Sequence, residues 1–368
     1  MTTMAPALPT RDDADEILAT AARWRSEGRA VAFATVVTTW GSSPRPVGSQ
    51  LAADEKGEFV GSVSGGCVES AVISEARTIL KGAPPKLLEF GVSDEMAWEV
   101  GLACGGKVEI FVQSAAGQDE LFAALQRLRS ARKPALVALD LADGRWSLWA
   151  DGEPIGDTGL RAALEGDAAR AQGEERSRVV ERDGRRVFLH VYAPPKRLAL
   201  VGAVHVAQSL IPMAVAAGYD VTVIDPRSAF AAESRFPGVT MMSQWPKAAL
   251  ATFGLDRRSA LVSLTHDPKI DDPALAAALR SDAFYIGALG SRKTHAARLE
   301  RLKEQGFSDS ELTRIHAPVG LPIGAISPAE IAVSILAEIT QAMRGAPRLA
   351  PVRVEGKGAE APVASRAH

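Results

Sequence analysis

From Arg197 onward, short apolar runs alternate with helix-forming stretches. Leu198-Ala-Leu-Val201 reads as a buried strand, Val206 to Ala217 as a helix closed by Gly218, and Val221-Thr-Val-Ile224 as the next strand. Ala260 to Thr265 and Phe284 to Ala288 are two more. A helix between two strands carries the chain back to start a parallel neighbour, so repeated alternation builds a parallel sheet with helices on both faces. Residues 195–346 are therefore expected to form a Rossmann-like, doubly wound parallel-sheet domain. Its last helix has a strong start: Ser327 as N-cap, Pro328 at the first helical position and Glu330 at the third make a capping box. Ile331, Ile335 and Ile339 form the core stripe of that helix, and Gly345 ends it.

The grammar before Arg197 is different. Ile17, Leu18, Ala21 and Trp24 fall on one helical stripe, and Val31 to Val37 is a strand-type run. Gly41-Ser-Ser-Pro-Arg-Pro-Val-Gly48 ends that strand. Gln50 to Ala53 and Phe59 to Val63 flank a polar turn and read as a hairpin. Gly61-Ser-Val-Ser-Gly-Gly66 leads through Cys67 into a helix that should run to about Leu80 and stop at Gly82. Gly101-Leu-Ala-Cys-Gly-Gly106 precedes a strand from Lys107 to Gln113, and Leu121, Phe122, Leu125 and Leu128 mark another helix. Ala135–Leu139, Trp146–Ala150 and Val187–Tyr192 are strand-like, with residues 157–184 helix or loop and Ala193-Pro-Pro-Lys196 a linker. No internal repeat is visible. The expectation is an α/β protein: a mixed α+β N-terminal domain over 11–194, with its motifs in 31–115, then the Rossmann-like domain, then a disordered tail over 347–368.

A chain of 368 residues suits two domains. A formal net charge of −2 offers no basic excess for nucleic acid or an anionic membrane. No apolar run approaches the ~20 residues needed to span a bilayer. Two cysteines cannot make a secreted disulfide framework, and the first residues lack a basic-then-apolar signal pattern, so the expected compartment is the cytoplasm.

Four places could carry chemistry. The turn Gly202-Ala-Val-His-Val-Ala207 follows a strand, and Asp225 ends the next strand, where a ribose-binding carboxylate belongs. Val204, however, stands where a dinucleotide site needs glycine, so the turn reads either as a plain strand–helix turn or as an altered NAD(P) site in which His205 is also near. Gly287-Ala-Leu-Gly-Ser-Arg-Lys293 places Gly290, Ser291 and Arg292 at a helix start, suited to an anion or to solvent alone. His266 beside Asp267 is a proton-transfer pair or a turn with an Asp cap. The fourth is Cys67 and Cys104 in glycine loops, either two small buried residues or thiolate ligands for a soft metal, with Ser43 and Arg45 near enough in sequence to add hydrogen bonds. Two cysteines alone do not complete a structural zinc site. His295 and His316 read as surface or packing residues.

These motifs together resemble the xanthine dehydrogenase accessory factor family (XdhC/CoxI) over about residues 14–345. The resemblance is carried by Gly41-Ser-Ser-Pro-Arg-Pro46, Gly61-Ser-Val-Ser-Gly-Gly-Cys-Val-Glu69, Gly91-Val-Ser-Asp94 and Gly101-Leu-Ala-Cys-Gly-Gly106. It continues in Gly202-Ala-Val-His-Val-Ala-Gln208, Asp225-Pro-Arg227, Thr265-His-Asp267, Gly287-Ala-Leu-Gly-Ser-Arg292 and Ile315-His-Ala-Pro-Val-Gly320, with Val204 replacing the family's usual glycine. It implies a non-catalytic accessory protein that binds molybdenum cofactor, as molybdopterin or its cytosine dinucleotide, and helps deliver the sulfurated form to an apo molybdenum hydroxylase. A cysteine-desulfurase-type sulfur donor would be a second partner, and a homodimer the default assembly. The implied contacts are Ser43, Arg45, Gly65, Gly66, Cys67, Cys104 and Gly105, with Cys67 and Cys104 toward molybdenum, and Gly202, His205, Asp225, His266, Gly290, Ser291 and Arg292 in the second domain. The competing readings are an NAD(P)-dependent oxidoreductase using Gly202, Asp225 and His266, and a docking protein that carries no cofactor.

Overall fold

The computed structural model describes residues 13–41, 45–66, 68–91, 106–150, 155–227 and 235–345. Packing divides these into two compact units, residues 13–197 with 215–220, and residues 198–214 with 221–345.

The N-terminal unit uses one plan twice. The first pass is α1 (Asp13–Ser26), β1 (Val31–Trp40), β2 (Gln50–Asp54), β3 (Phe59–Gly61), α2 (Glu69–Leu80), β4 (Lys86–Phe90) and β5 (Lys107–Ser114). The second is α3 (Asp119–Ser130), β6 (Ala135–Asp140), β7 (Trp146–Trp149), β8 (Ile155–Gly156), α4 (Thr158–Gly173), β9 (Arg178–Arg182) and β10 (Arg185–Tyr192). Each pass closes an antiparallel sheet, ordered β3-β2-β1-β5-β4 and β8-β7-β6-β10-β9. The absence of a repeat, expected from sequence, is thus corrected: the repeat lies in topology, while the side chains that fill it differ.

Alternation along β1 explains how its sheet is covered on both sides. Ala32, Ala34 and Val36 pack with Val72, Ala76 and Ile79 of α2, whereas Val31 and Phe33 turn to Ile17, Ala21 and Trp24 of α1. Further along, Val37 and Phe111 meet Leu139, Leu141 and Phe188, joining the two sheets through one core. The helices that open each pass also pair. Arg25 of α1 binds Asp119 of α3, and Arg129 of α3 binds Asp15 of α1, a reciprocal exchange between matching positions. Phe122 of α3 stacks on Phe33 with ring centroids 4.7 Å apart.

The C-terminal unit runs β11 (Lys196–Val201), α5 (His205–Ala216), β12 (Tyr219–Ile224), β13 (Thr240–Met242), α6 (Pro246–Phe253) and β14 (Ser259–Ser263). It continues α7 (Pro268–Leu279), β15 (Tyr285–Ala288), α8 (Arg292–Glu304), α9 (Asp309–Leu312), β16 (Ile315–His316) and α10 (Pro328–Met343). The sheet order is β13-β12-β11-β14-β15-β16, with parallel β12–β13, β14–β15 and β15–β16 pairs. Strand order therefore reverses between β11 and β14, the place where doubly wound sheets open a crevice beyond their carboxyl ends. The strands are buried runs, and Ala199, Val201, Leu261 and Ile286 pack with Leu275, Leu279 and Leu302 of the helices. The capping box expected at Ser327 is present: its hydroxyl accepts from Glu330 N–H and the Glu330 side chain accepts from Ser327 N–H.

Candidate functional site

Antiparallel order gives the first sheet two different ends. β1, β3 and β4 run one way and β2 and β5 the other. The described ends of the connections 41–49, 62–68 and 91–106 therefore all lie at one end of this sheet. Those are the loops that carry Ser43 and Arg45, Gly65, Gly66 and Cys67, and Cys104 and Gly105. Ser43, Cys67, Cys104 and Gly105 lie outside the described residues; Arg45 is half-buried, and Gly65 and Gly66 are exposed. In the second pass the matching connections are 141–145, 157 and 183–184, tight links with no such motifs.

The glycine turn after β3 is organised around Glu69, which the sequence reading passed over. Its Oε1 accepts from Ser62 Oγ at 2.8 Å and from the N–H groups of Val63, Ser64 and Gly65 at 3.2, 3.0 and 3.1 Å. Its Oε2 accepts from Gly66 N–H at 2.9 Å and from the Ser64 hydroxyl. Burial alone would raise the Glu69 pKa; the hydroxyls of Ser64 and Ser62 and the loop N–H groups outweigh it and hold the carboxyl at about 2. The backbone N–H groups of Gly65 and Gly66, both expected as cofactor contacts, donate to the chain's own carboxylate. A Cβ on Gly61, at φ +85°, would come 2.4 Å from Gln50 O, so only glycine makes this turn.

Beside these loops is a cavity of about 510 Å³ lined by Trp40, Glu89, Phe90, Gly91, Lys107, Val108 and Glu109. Trp40 is 53% exposed, a high value for an indole. The strand register sets Trp40 opposite Lys107 on one face, while Phe90 pairs with Val108 on the other, so an indole and a cation share one rim. Glu109 is engaged there by Arg186, Nη2 to Oε2 at 2.6 Å, and by the Thr38 hydroxyl. No cluster of three or more His, Cys, Asp or Glu able to hold a metal occurs among the described residues.

The exit of the 41–49 loop rests on a buried histidine. A Cβ on Gly48, at φ +92°, would lie 3.2 Å from His190 Nε2. The His190 and Tyr192 rings meet tilted at 39° with centroids 4.1 Å apart; Tyr192 OH donates to Gln50 Oε1 and Gln50 Nε2 to Thr35 Oγ1, both at 3.1 Å. Burial, aided by the field of Arg129, pushes the His190 pKa down to about 3, so the ring is neutral.

In the C-terminal unit, the turns after β11, β12, β14 and β15 gather at the carboxyl end of the sheet. Gly202, at φ +115°, passes against Thr265, whose Cγ2 would stand 2.7 Å from an added Cβ. His205, His266, Ser291 and Arg292 are exposed around this rim and Gly290 is half-buried. Asp225, expected as a ribose-binding carboxylate, is engaged by the chain itself. It is fully buried, accepting Ala203 N–H at 2.8 Å and two guanidinium contacts from Arg227 at 2.9 and 2.8 Å. Burial would raise its pKa, but these donors hold it below the usual carboxylate value. A ribose hydroxyl would have to displace Arg227. Asp267 caps α7 by accepting from Lys269 N–H, and Ser291 caps α8 by accepting from Thr294 N–H, so both local alternatives are realised. His316, read as a surface or packing residue, sits 3.0 Å from Glu338, which also accepts from Tyr285 OH and Gly320 N–H at 2.7 Å. Its sequence position in Ile315-His-Ala-Pro gave no hint of that carboxylate, which arrives from α10.

No helix among the described residues is long and apolar enough to cross a membrane. Among known proteins, the profile described as "XdhC and CoxI family" matches residues 24–91, and the one described as "XdhC Rossmann domain" matches residues 198–339. The chain is 30% identical over 328 residues to the molybdenum cofactor insertion chaperone PaoD of Escherichia coli, covering 89% of this chain and 88% of that protein. It is 26% identical to a probable xanthine dehydrogenase subunit of Bacillus subtilis, over 84% of this chain and 92% of the other. A crystal structure described as that of a xanthine dehydrogenase from Bacillus halodurans superposes with a TM-score of 0.74 at 25% identity, covering 91% and 96% of the two chains. Two profiles at the two ends of the chain and a relative matched over most of its length agree: this protein belongs to the XdhC and CoxI family.

Proposed function

We propose that this protein binds molybdenum cofactor as cargo and hands it, in sulfurated form, to an apo molybdenum hydroxylase. The observation that carries the proposal is strand direction: the described ends of β1, β3 and β4 and the starts of β2, α2 and β5, which flank the three motif-bearing connections, lie at one end of one sheet, when the second sheet of the same plan has only tight links there. The similarity to a cofactor insertion chaperone supports the same reading. Trp40 offers a face for a flat pterin, Lys107 a charge for its phosphate, and the Cys67 and Cys104 thiolates soft ligands for the metal. Ser43, Arg45 and Gly105 complete this set. The phosphate is assigned to Lys107 and Arg45 rather than to the Gly65 and Gly66 amides, because Glu69 already holds those.

The protein acts by binding and release, in the cytoplasm, with a cysteine-desulfurase-type enzyme as sulfur source and the hydroxylase as recipient; a homodimer is the proposed assembly. The rim formed by His205, His266, Gly290, Ser291 and Arg292 is a second candidate contact surface for an anionic group. The test is to express the full chain with abundant molybdate and assay bound molybdenum and pterin. Stoichiometric amounts of both are expected, with Trp40→Ala, Cys67→Ser and Cys104→Ser each retaining less, by roughly threefold or more for a lost aromatic face or ligand. Protein that emerges free of both components would defeat the proposal; retention that ignores all three substitutions would move the site elsewhere.

A further inference from the structure

The cavity of about 510 Å³ beside β1, β4 and β5 is polarised from mouth to inner end. Lys107 and Glu109 are alternate residues of β5, so both stand on one face of the sheet. Their cross-strand partners share that face: Trp40 of β1 is opposite Lys107, and Glu89 of β4 is opposite Glu109. Trp40 ends β1 and Lys107 begins β5, which puts them at the rim, whereas Glu89 and Glu109 stand about 7 Å further along the strands. All four line the cavity. The two carboxylates differ in what they are already bound to. Glu109 is buried and accepts from Arg186 Nη1 and Nη2 at 3.1 and 2.6 Å and from the Thr38 hydroxyl. Glu89 is exposed, and no hydrogen bond or ion pair engages its carboxylate among the described residues. Like charges directly opposite each other cost a sheet stability, and the guanidinium that offsets this pair is already held by Glu109. Trp40 and Glu89 lie on the two strands that flank β5, about 10 Å apart across the sheet, a gap that a fused two-ring heterocycle bridges when it stacks on the indole and turns its far edge to the carboxylate.

An ionised carboxylate with open lone pairs is met best by two parallel N–H groups, as in the fork of an arginine. In a flat heterocycle that fork is the edge of an aminopyrimidinone, where a ring N–H stands beside an exocyclic amino group. We propose that Glu89 is the specificity-determining residue of this cavity: it reads the two-donor edge of a fused aminopyrimidinone stacked on Trp40, while the anionic end of the same ligand lies at Lys107. That the heterocycle is a pterin rests on the reading of this protein as a cofactor carrier; the preference for the edge can be measured with no molybdenum present.

The probes are pterin-6-carboxylate and lumazine-6-carboxylate. They share ring size and anionic end, but lumazine carries a carbonyl in place of the amino group and so presents no two-donor edge. Full-length protein made in cells unable to synthesise the cofactor is dialysed to equilibrium against each, and the bound heterocycle is read by its fluorescence. The parent should bind the pterin about tenfold or more tightly than the lumazine, the margin of a two-point pair with a charged acceptor. Glu89→Gln keeps the side-chain shape at an exposed strand position but gives up one acceptor for an N–H donor. It should weaken pterin binding about tenfold and bring the two probes level. Trp40→Ala should weaken both probes by a similar factor and leave their ratio unchanged. Guanosine monophosphate carries the same edge and should also lose affinity with Glu89→Gln; its affinity beside that of the pterin tells a purine source from a pterin source. A parent that binds neither probe, or binds them equally, would overturn the proposal, as would a folded Glu89→Gln protein that still discriminates. The carrier reading fails separately. A chain that discriminates between the probes yet leaves molybdate-rich cells without molybdenum keeps this site and loses the cargo, whereas one that retains cargo without discriminating loses this inference alone.

Discussion

His190 shows how one side chain can couple the support of a functional loop to acidity. It lies beneath Gly48, at the exit of the loop that holds Arg45, and its pKa is about 3, against about 6.5 for a free histidine. The unfolded chain takes up the proton first as pH falls. Stability from the neutral, buried ring is thus fully present above pH ~6.5 and is lost as pH drops from there toward 3. Glu69 contributes in a lower window, because a carboxyl held at about 2 loses its advantage only below the unfolded value near 4.5. Between pH 6.5 and 4.5 the loss of roughly 2–3 kcal/mol therefore belongs mainly to histidine, with half-buried His295 shifted in the same direction. Denaturant unfolding across that window should show a shallower fall for His190→Asn than for the parent, although the variant starts less stable at neutral pH. Parallel pH curves for the two proteins would mean that His190 is not the titrating group.

At the scale of elements, the doubled plan explains both what could be read from sequence and what could not. β1, β5, β6 and β10 announce themselves by Val-, Leu- and aromatic-rich runs, because each is buried on at least one face, and β2 by its place before a polar turn. β4 and β9 do not, since edge strands such as Lys86–Phe90 and Arg178–Arg182 keep few buried positions. Two residues of β8 and two of β16 are too few to set a pattern. The site was legible as motifs, Gly61 to Glu69 above all, but its partners Trp40 and Lys107 come from strand register, which no local pattern reports. The repeat left one trace that could have been found: the same acid-to-arginine spacing in α1 and α3, Asp15 to Arg25 and Asp119 to Arg129. The two resulting ion pairs are matched in position but not in environment. Arg129 is 5% exposed against an Asp15 that is 26% exposed, whereas Asp119 is 81% exposed. Arg129→Ala strands a shielded carboxylate and also removes the bond to Ala193 O, so it should cost about 2–4 kcal/mol. Arg25→Ala breaks a solvated pair and should cost under about 1 kcal/mol. Equal losses in chemical denaturation would show that burial does not separate the two pairs.

For the whole molecule, the question is whether the second unit contributes a nucleotide-driven reaction or a surface. Its strand order is that of dinucleotide-binding sheets, and Gly202 makes the close turn beside Thr265 that such sheets require. Two residues oppose the ligand. Val204 puts a branched side chain where pyrophosphate must approach the backbone, and Asp225 is sealed by Ala203 N–H and Arg227. Opening that carboxylate means breaking a bidentate arginine pair on a buried acid, a cost of several kcal/mol that a ribose hydroxyl returns only in part. A deficit of that size pushes a micromolar nucleotide toward the millimolar range. Titration of the full chain with NADPH, followed by its fluorescence, should therefore show no saturation up to about 1 mM. Val204→Gly alone should not rescue binding, because the acid remains engaged. Val204→Gly combined with Arg227→Ala removes both obstacles and should bring the midpoint down into the measurable range. Saturable binding by the unmodified chain would instead show that Arg227 yields to the ligand, and would return the rim of His205, His266 and Arg292 to the class of redox cofactor sites.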